Sequence, residues 1–264
     1  MKAVNTLIEN CFAVVELLAD NAQSMPIDDI AERLNLRKSG THRLLAALAS
    51  IGWVEQDPDT GRYRLSLRLA IMGRRFLIAN RLPDLCQPVL DRLAERSHEL
   101  VRMTMVDGDG LAWIAHAQGT PAGLIYQPEM AAKVPLHVTA DGKAWLATLP
   151  VEKAVQIVLA EGFGRPDEFG PNAIRSVDAL ISDLEMTRKR GFGLAREEAE
   201  PGVVAIADII RPGEELIVGT VSLAGPFVRM DEDHVAELVP SVKAAARDIS
   251  TLWPLRILRQ QLAS

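Results

Sequence analysis

Cysteine is scarce in this chain: Cys11 and Cys86 are the only two in 264 residues, and both sit in apolar, helix-like surroundings. That argues against a disulfide framework or a thiolate metal site and predicts free thiols turned inward. Long apolar runs are missing as well, since nothing approaches the roughly 18 residues of a membrane span. Near the N-terminus, Glu9 and Asn10 interrupt the one apolar stretch that could begin a secretory signal. A cytoplasmic protein without a membrane partner is expected. With 48% hydrophobic and 24% charged residues and no repeat or low-complexity tract, the composition is that of a folded globular chain.

Signatures of catalysis and cofactor binding are absent too. No Gly-x-Gly-x-x-Gly follows a strand; GFGL at 191–194 lacks the third glycine and opens no βαβ unit. The run ADGKA at 140–144 resembles the tail of a phosphate loop, but position 137 is histidine and position 144 lacks the hydroxyl that would hold magnesium. Five histidines (His42, His98, His116, His137, His234) show no metal-ligand spacing, and DGDG has no glutamate at the twelfth loop position of a calcium site. No Gly-x-Ser-x-Gly elbow appears, Ser222 has no evident base, and the adjacent Glu197 and Glu198 read as solvated or structural. Neither a cofactor nor an enzymatic activity is expected.

What is present is an uneven charge distribution. The net charge is −6, yet residues 1–78 hold ten Lys/Arg against nine Asp/Glu, and residues 33–75 hold nine basic against three acidic residues. A small basic head precedes an acidic body, the asymmetry that local binding to a polyanion requires.

The head has an ordered pattern. Residues 4–19 place apolar groups at helical spacing. From Pro26, IDDIAERL puts Ile27, Ile30, Ala31 and Leu34 on one face, with Asp28 and Asp29 in the first turn where the helix dipole favours them. After a short connection at 35–37, Leu44, Leu45, Leu48 and Ile51 mark a third helix that ends at Gly52. Helix, tight turn, helix is a helix-turn-helix. WVEQD and RYRLSL then alternate around PDTG as a β-hairpin, which makes it a winged one, and 67–80 returns to helical periodicity with more apolar surface than one small domain covers.

The segment RKSGTHR at 37–43 is odd for a helix start, because glycine inside a helix costs about 1 kcal/mol relative to alanine and serine and threonine compete for backbone hydrogen bonds. A recognition helix accounts for it: short residues let its first turn enter the major groove. On this reading Ser39 and Thr41 donate to phosphates or base edges, Gly40 closes the gap, Arg37 and Lys38 meet phosphates, and His42 and Arg43 project one step further. Arg62, Tyr63 and Arg64 beside the wing tip would grip the flanking backbone or minor groove. The plain alternative is a helix cap with solubilising arginines.

The body is expected to open with a helix near 83–97, followed by a strand pair (LVRMTMV and LAWIAHA across DGDG). Helices are expected over TADGKAWLATL, VEKAVQIVLAEG and SVDALISDLEMTRKRG, central strands over VVAIADII and ELIVGTVSLAG, and a last helix near 231–252. Strands flanked by helices at both ends predict an α+β sensor-like layer.

The segment MPIDDIAERLNLRKSGTHRLLAALASIGWVEQDPDTGRYRLSLRLAIMG resembles the winged helix-turn-helix of IclR-type bacterial transcriptional regulators. VPLHVTADGKAWLATLP, RGFGLAREEAEPGVVAIADII and GTVSLAGP are similar to stretches of that family's body. The resemblance implies a winged helix-turn-helix DNA-binding domain at 1–66, a linker helix at 67–80 and a GAF-like α/β effector-binding domain at 81–264. It also implies double-stranded operator DNA as partner, a small-molecule effector (an organic acid or aromatic metabolite), a homodimer or dimer of dimers, and repression or activation of a catabolic operon. Carried over by motif, the effector pocket would be lined by Tyr126, Ala140, Asp141, Ala195, Glu197, Ala205, Ser222 and Ala224. Ala195, Ala205 and Asp141 depart from the family's usual residues, widening one wall and adding a carboxylate to another, which favours a larger or less acidic effector. Asp141 could instead cap the following helix and point away. The rival reading is an enzyme or small-molecule sensor whose basic head contacts a protein.

Overall fold

The computed structural model describes residues 6–21, 23–80, 82–119, 125–126, 134–165, 167–214 and 216–253. The chain divides into two compact units, residues 1–79 and 80–264.

The first unit holds helices α1 (Thr6–Ala19), α2 (Ile27–Arg33) and α3 (Lys38–Ser50), strands β1 (Val54–Gln56) and β2 (Tyr63–Leu65), and helix α4 (Arg68–Asn80). Its core joins Val14 and Leu18 of α1, Ile30 of α2, Leu45 and Leu48 of α3, and Val54 and Tyr63 of the hairpin. The turn between α2 and α3 is tight because Asn35 takes the left-handed conformation (φ 50°) and the Leu36 amide reaches back to the Ala31 carbonyl at 2.8 Å. Strands β1 and β2 pair antiparallel. At their turn the Asp57 carboxylate accepts the amides of Asp59 (3.0 Å) and Thr60 (2.8 Å), and these bonds hold its pKa below the usual carboxylate range.

The second unit contains α5 (Leu82–Ser97), β3 (Leu100–Asp107), β4 (Gly110–Gln118), α6 (Ala140–Leu146), α7 (Val151–Glu161), α8 (Val177–Arg190), β5 (Gly193–Arg196), β6 (Val203–Ile210), β7 (Gly219–Pro226) and α9 (Glu232–Leu252). Five strands form one antiparallel sheet in the order β4-β3-β7-β6-β5. β5 has no counterpart among the expected elements; it is four residues long and begins with a glycine, so it carries little period-two signal.

Alternation divides the sheet into two unlike faces. Val101, Met103, Val204, Ile206, Val221 and Leu223 pack against Leu90 and Leu93 of α5 and Val242 and Ile249 of α9, forming the main core. Cys86 is buried there, and burial pushes its thiol up to about 11; Cys11, only partly buried, is also free. The opposite face is small and polar: Arg102 stands opposite Ser222 and Thr104 opposite Thr220, while Ala205 and Ala207 pair with Ala224 and Ser222. Helix α6 lies on this face. A Cβ added to Gly193 would stand 2.1 Å from the Ala140 carbonyl oxygen, so the glycine permits the close approach of β5 to α6. Among the described residues no helix is long and apolar enough to cross a membrane.

Candidate nucleic-acid interface and effector cavity

Helix α3 starts with no side-chain cap: Arg37 is extended (φ −71°, ψ 134°), and its side chain makes no capping hydrogen bond. The Gly40 amide turns back to the Arg37 carbonyl at 2.8 Å, and the first turn carries the partial positive charge of a helix N-terminus. Ser39, His42 and Arg43 are exposed, on the side away from the buried Leu44, Leu45 and Leu48. A Cβ on Gly40 would meet nothing within 4 Å. Packing of the unit thus gives no reason for glycine at this position.

Two residues assigned to the DNA face turn inward instead. Thr41 is fully buried, and its hydroxyl donates to the Arg37 carbonyl at 3.2 Å. It stands one turn before Leu45 and so belongs to the apolar stripe. Tyr63 is 5% exposed within the core, and its backbone bridges to Met25 with N–H to O distances of 2.7 and 2.8 Å. Strand alternation puts Tyr63 inward and Arg64 outward. Of the remaining basic groups, Lys38 pairs with Asp28 at 2.6 Å and Arg64 with Glu55 at 2.9 Å, both on the surface. Arg62 donates from Nε (2.9 Å) and Nη2 (2.6 Å) to the Ser24 carbonyl, tying the wing to the loop before α2.

In the second unit, Tyr126, Ala140, Ala195 and Ala205 come together around a narrow cavity of about 20 Å³, joined by Arg102, Thr139, Glu200 and Val203. The alanines do not leave a wide hollow: Ala140, Ala144, Ala195, Ala205, Ala207 and Ala224 pack on one another, because small residues let α6 settle onto the sheet. The expected widening of this wall is therefore corrected. The Tyr126 hydroxyl donates to Glu200 at 3.0 Å, and burial raises the Tyr126 phenol above its ordinary range. A wider depression of about 530 Å³ lies between the β3–β4 turn and α7, but it is open to solvent, and its ion pair, Lys153 with Asp109 at 2.6 Å, is exposed. The small cavity has buried polar groups converging on it and is the stronger candidate.

Asp141, Ser222 and Ala224 are fully buried beside the cavity without lining it. Asp141 does not cap α6; Thr139 does, accepting the Gly142 amide at 3.1 Å. Asp141 Oδ1 accepts the Thr220 hydroxyl at 2.6 Å, and the Thr220 oxygen lies 2.6 Å from the Thr104 hydroxyl, which completes a short chain across α6, β7 and β3. Burial pushes the Asp141 carboxyl up, against the opposing pull of Arg102. Glu197 is corrected as well: in left-handed backbone (φ 52°), it turns its carboxylate to the Gly202 amide at 3.0 Å and does not line the cavity.

A basic helix-turn-helix and a sheet with one small-residue face agree with two family descriptions. The IclR helix-turn-helix domain matches residues 7–58, and the bacterial transcriptional regulator IclR C-terminal domain matches residues 77–251. The chain belongs to the IclR family of bacterial transcriptional regulators. It is 28% identical to the HTH-type transcriptional regulator XynR of Escherichia coli K12 over 92% of this chain and 95% of that protein. An IclR transcriptional regulator from Alicyclobacillus acidocaldarius has the same fold (TM-score 0.79, 21% identity, 94% and 98% of the two chains covered). So does an IclR homologue from Microbacterium hydrocarbonoxydans complexed with 4-hydroxybenzoate (TM-score 0.75, 22% identity, 94% and 99% covered).

Within this IclR-family chain, sequence reasoning missed both charged residues of the cavity wall, Glu200 and Arg102. Arg102 on β3 is 5% exposed, its guanidinium lies 4.6 Å from the Trp113 ring centroid, and its Nε has no hydrogen-bond partner among the described residues. The signal was an arginine in the otherwise apolar run LVRMTMV, but alternation alone reads such a residue as facing water. A second buried charge, Lys143, is held by Glu198 at 2.8 Å and Asp183 at 3.0 Å, so Glu198 is a structural partner and not a solvated one.

Proposed function

We propose that this regulator reads an operator through the start of α3 and responds to a small molecule held on the small-residue face of its second unit. Ser39, Gly40, His42 and Arg43 enter the major groove, Arg37, Lys38 and Arg64 meet phosphates, and Arg62 holds the wing in place while its free donors reach the backbone. Thr41 and Tyr63 shape the unit from inside. The observation that carries the reading is the open space above Gly40: the fold tolerates a side chain there, and a close-approaching duplex would not.

The protein is a regulator without catalytic activity, acting on a catabolic operon in the cytoplasm. Exposed apolar residues on α1 (Leu7, Ile8, Phe12) and α4 (Leu67 just before it, Ile71, Met72) support a homodimer or dimer of dimers. That a homologue of this fold binds 4-hydroxybenzoate supports an effector of organic-acid or aromatic type. Selecting random DNA duplexes on the full-length chain tests the reading. The bound pool should converge on a two-fold symmetric motif with half-sites a whole number of helical turns apart. A pool without a motif, or a motif unchanged by Arg43→Ala, would sink it.

A further inference from the structure

Arg102 poses a question that the fold does not answer. Burying a guanidinium is costly unless its donors are matched, and here the matching is incomplete. One face stacks on Trp113, Nε is sealed from water without a hydrogen-bond partner among the described residues, and the side chain borders the cavity beside Tyr126, Ala140 and Ala205. Asp141 lies near enough to feel its charge. Yet one oxygen of that carboxylate is bonded to Thr220 at 2.6 Å, and the other has no hydrogen-bond partner among the described residues. The two charges attract without joining, which leaves Arg102 able to take an anion from the cavity side.

We propose that Arg102 is the anchor for the carboxylate of a monoanionic organic acid, held in this cavity with its apolar part against Ala140, Ala195, Ala205 and Val203. The inference rests on the effector reading above and names its ligand class. A guanidinium forks onto a carboxylate through parallel N–H donors, a match no other wall residue offers. The alanines and Val203 supply an apolar floor. A second anionic group on the ligand meets Glu200 at the mouth or Asp141 behind the wall, so diacids are disfavoured. A cavity of about 20 Å³ has room for about one water. Binding therefore separates Tyr126 from Glu200, a single bond at an exposed position. The carboxylate added at position 141 is then no bar to an acidic effector, because the cation that offsets it stands on β3.

The test uses the full-length chain and a fixed panel read by thermal shift and calorimetry: acetate, pyruvate, hexanoate and benzoate, their four amides, and the diacids succinate and phthalate. At least one monoacid should stabilise the wild type, its amide should not, and the diacids should bind more weakly. Arg102→Gln should weaken the binding monoacid at least about tenfold, since a charged hydrogen-bonding partner is lost. Arg102→Lys, which keeps the charge and loses the fork, should fall between. If Arg102→Gln does not fold, the acid-to-amide comparison on the wild type and the Arg102→Lys affinity decide. The proposal is overturned if no monoacid binds, if an amide binds as tightly as its acid, or if the Arg102 variants bind like the wild type. An acid that binds through Arg102 yet leaves affinity for the selected duplex unchanged keeps the anion site and removes its role as effector. Loss of a duplex motif with acid binding intact removes the DNA reading alone.

Discussion

Thr220 donates its hydroxyl to Asp141 Oδ1 at 2.6 Å, while Oδ2 of the same fully buried carboxylate has no hydrogen-bond partner among the described residues. Burial accordingly raises the folded-state pKa of Asp141 above its unfolded value, with Arg102, Thr220 and the nearby Ser222 pulling the other way. A raised carboxyl pKa means that the folded state binds the proton more tightly. Its stabilising contribution is present below the unfolded value of about 3.9 and is lost as pH rises through the folded value. Asp141→Asn keeps an acceptor for Thr220 and removes the titration. The variant should match the wild type near pH 4 and exceed it by about 1–3 kcal/mol at pH 8. Urea midpoints across pH check this. A residual slope of the same sign belongs to Glu198, which burial also raises against the pull of Lys143.

Gly40→Ala separates folding from recognition. The new methyl meets nothing within 4 Å, and alanine is favoured over glycine inside a helix by about 1 kcal/mol. Residues 6–80 should therefore become more stable, by a few degrees in a melt. Affinity for the selected duplex should fall, because the methyl lies between helix and groove. Equal or tighter DNA binding would show that the start of α3 does not approach the bases.

Lys38, Thr41 and Arg43 should divide by orientation. Thr41 is buried with its hydroxyl bonded, so Thr41→Val should cost about 1 kcal/mol of stability and leave sequence preference intact. Arg43→Ala should lose preference more than bulk affinity. Lys38 and Asp28 are 64% and 66% exposed, so breaking that pair costs little stability. Lys38→Ala should weaken all duplexes alike and reduce the slope of log K against log salt by about 1. Gel shifts over a salt series compare the three, and the same sequence-blind loss for Arg43→Ala and Lys38→Ala would contradict the roles.

The repeating apolar positions of α2 and α3 and the alternation around PDTG carry enough local information to place the winged helix-turn-helix from sequence alone. Thr41 and Tyr63 were misassigned because motif logic treated 37–43 and 62–64 as continuous binding segments. The periodicity already visible in Leu45 and Leu65 sends one residue of each inward. β5 escaped because four residues with a glycine start make no periodic signal. Arg102 escaped for a different reason. Its burial depends on pairing with Ser222, 120 residues further along the chain, and on stacking against Trp113 from the neighbouring strand, neither of which local pattern reports. Asp141 likewise takes its meaning from Thr220, a long-range contact.

Lys143 is where the framework of the cavity can be tested without touching its wall. Its side chain is 1% exposed, with the ammonium group 2.8 Å from Glu198 and 3.0 Å from Asp183, and it links α6 to the turn after β5 that carries Ala199 and Glu200. Removing one partner of a buried pair strands the other charge, which costs about 3–5 kcal/mol, whereas removing both can be nearly neutral. Lys143→Met should therefore lower the urea-unfolding free energy by about that amount, and Lys143→Met with Glu198→Gln should recover most of it. The loss should shrink at low pH, where the stranded Glu198 takes up a proton and the penalty for an unpaired buried charge disappears. A single variant that unfolds like the wild type, or a double variant no better than the single, would mean that this cluster does not hold α6 in place.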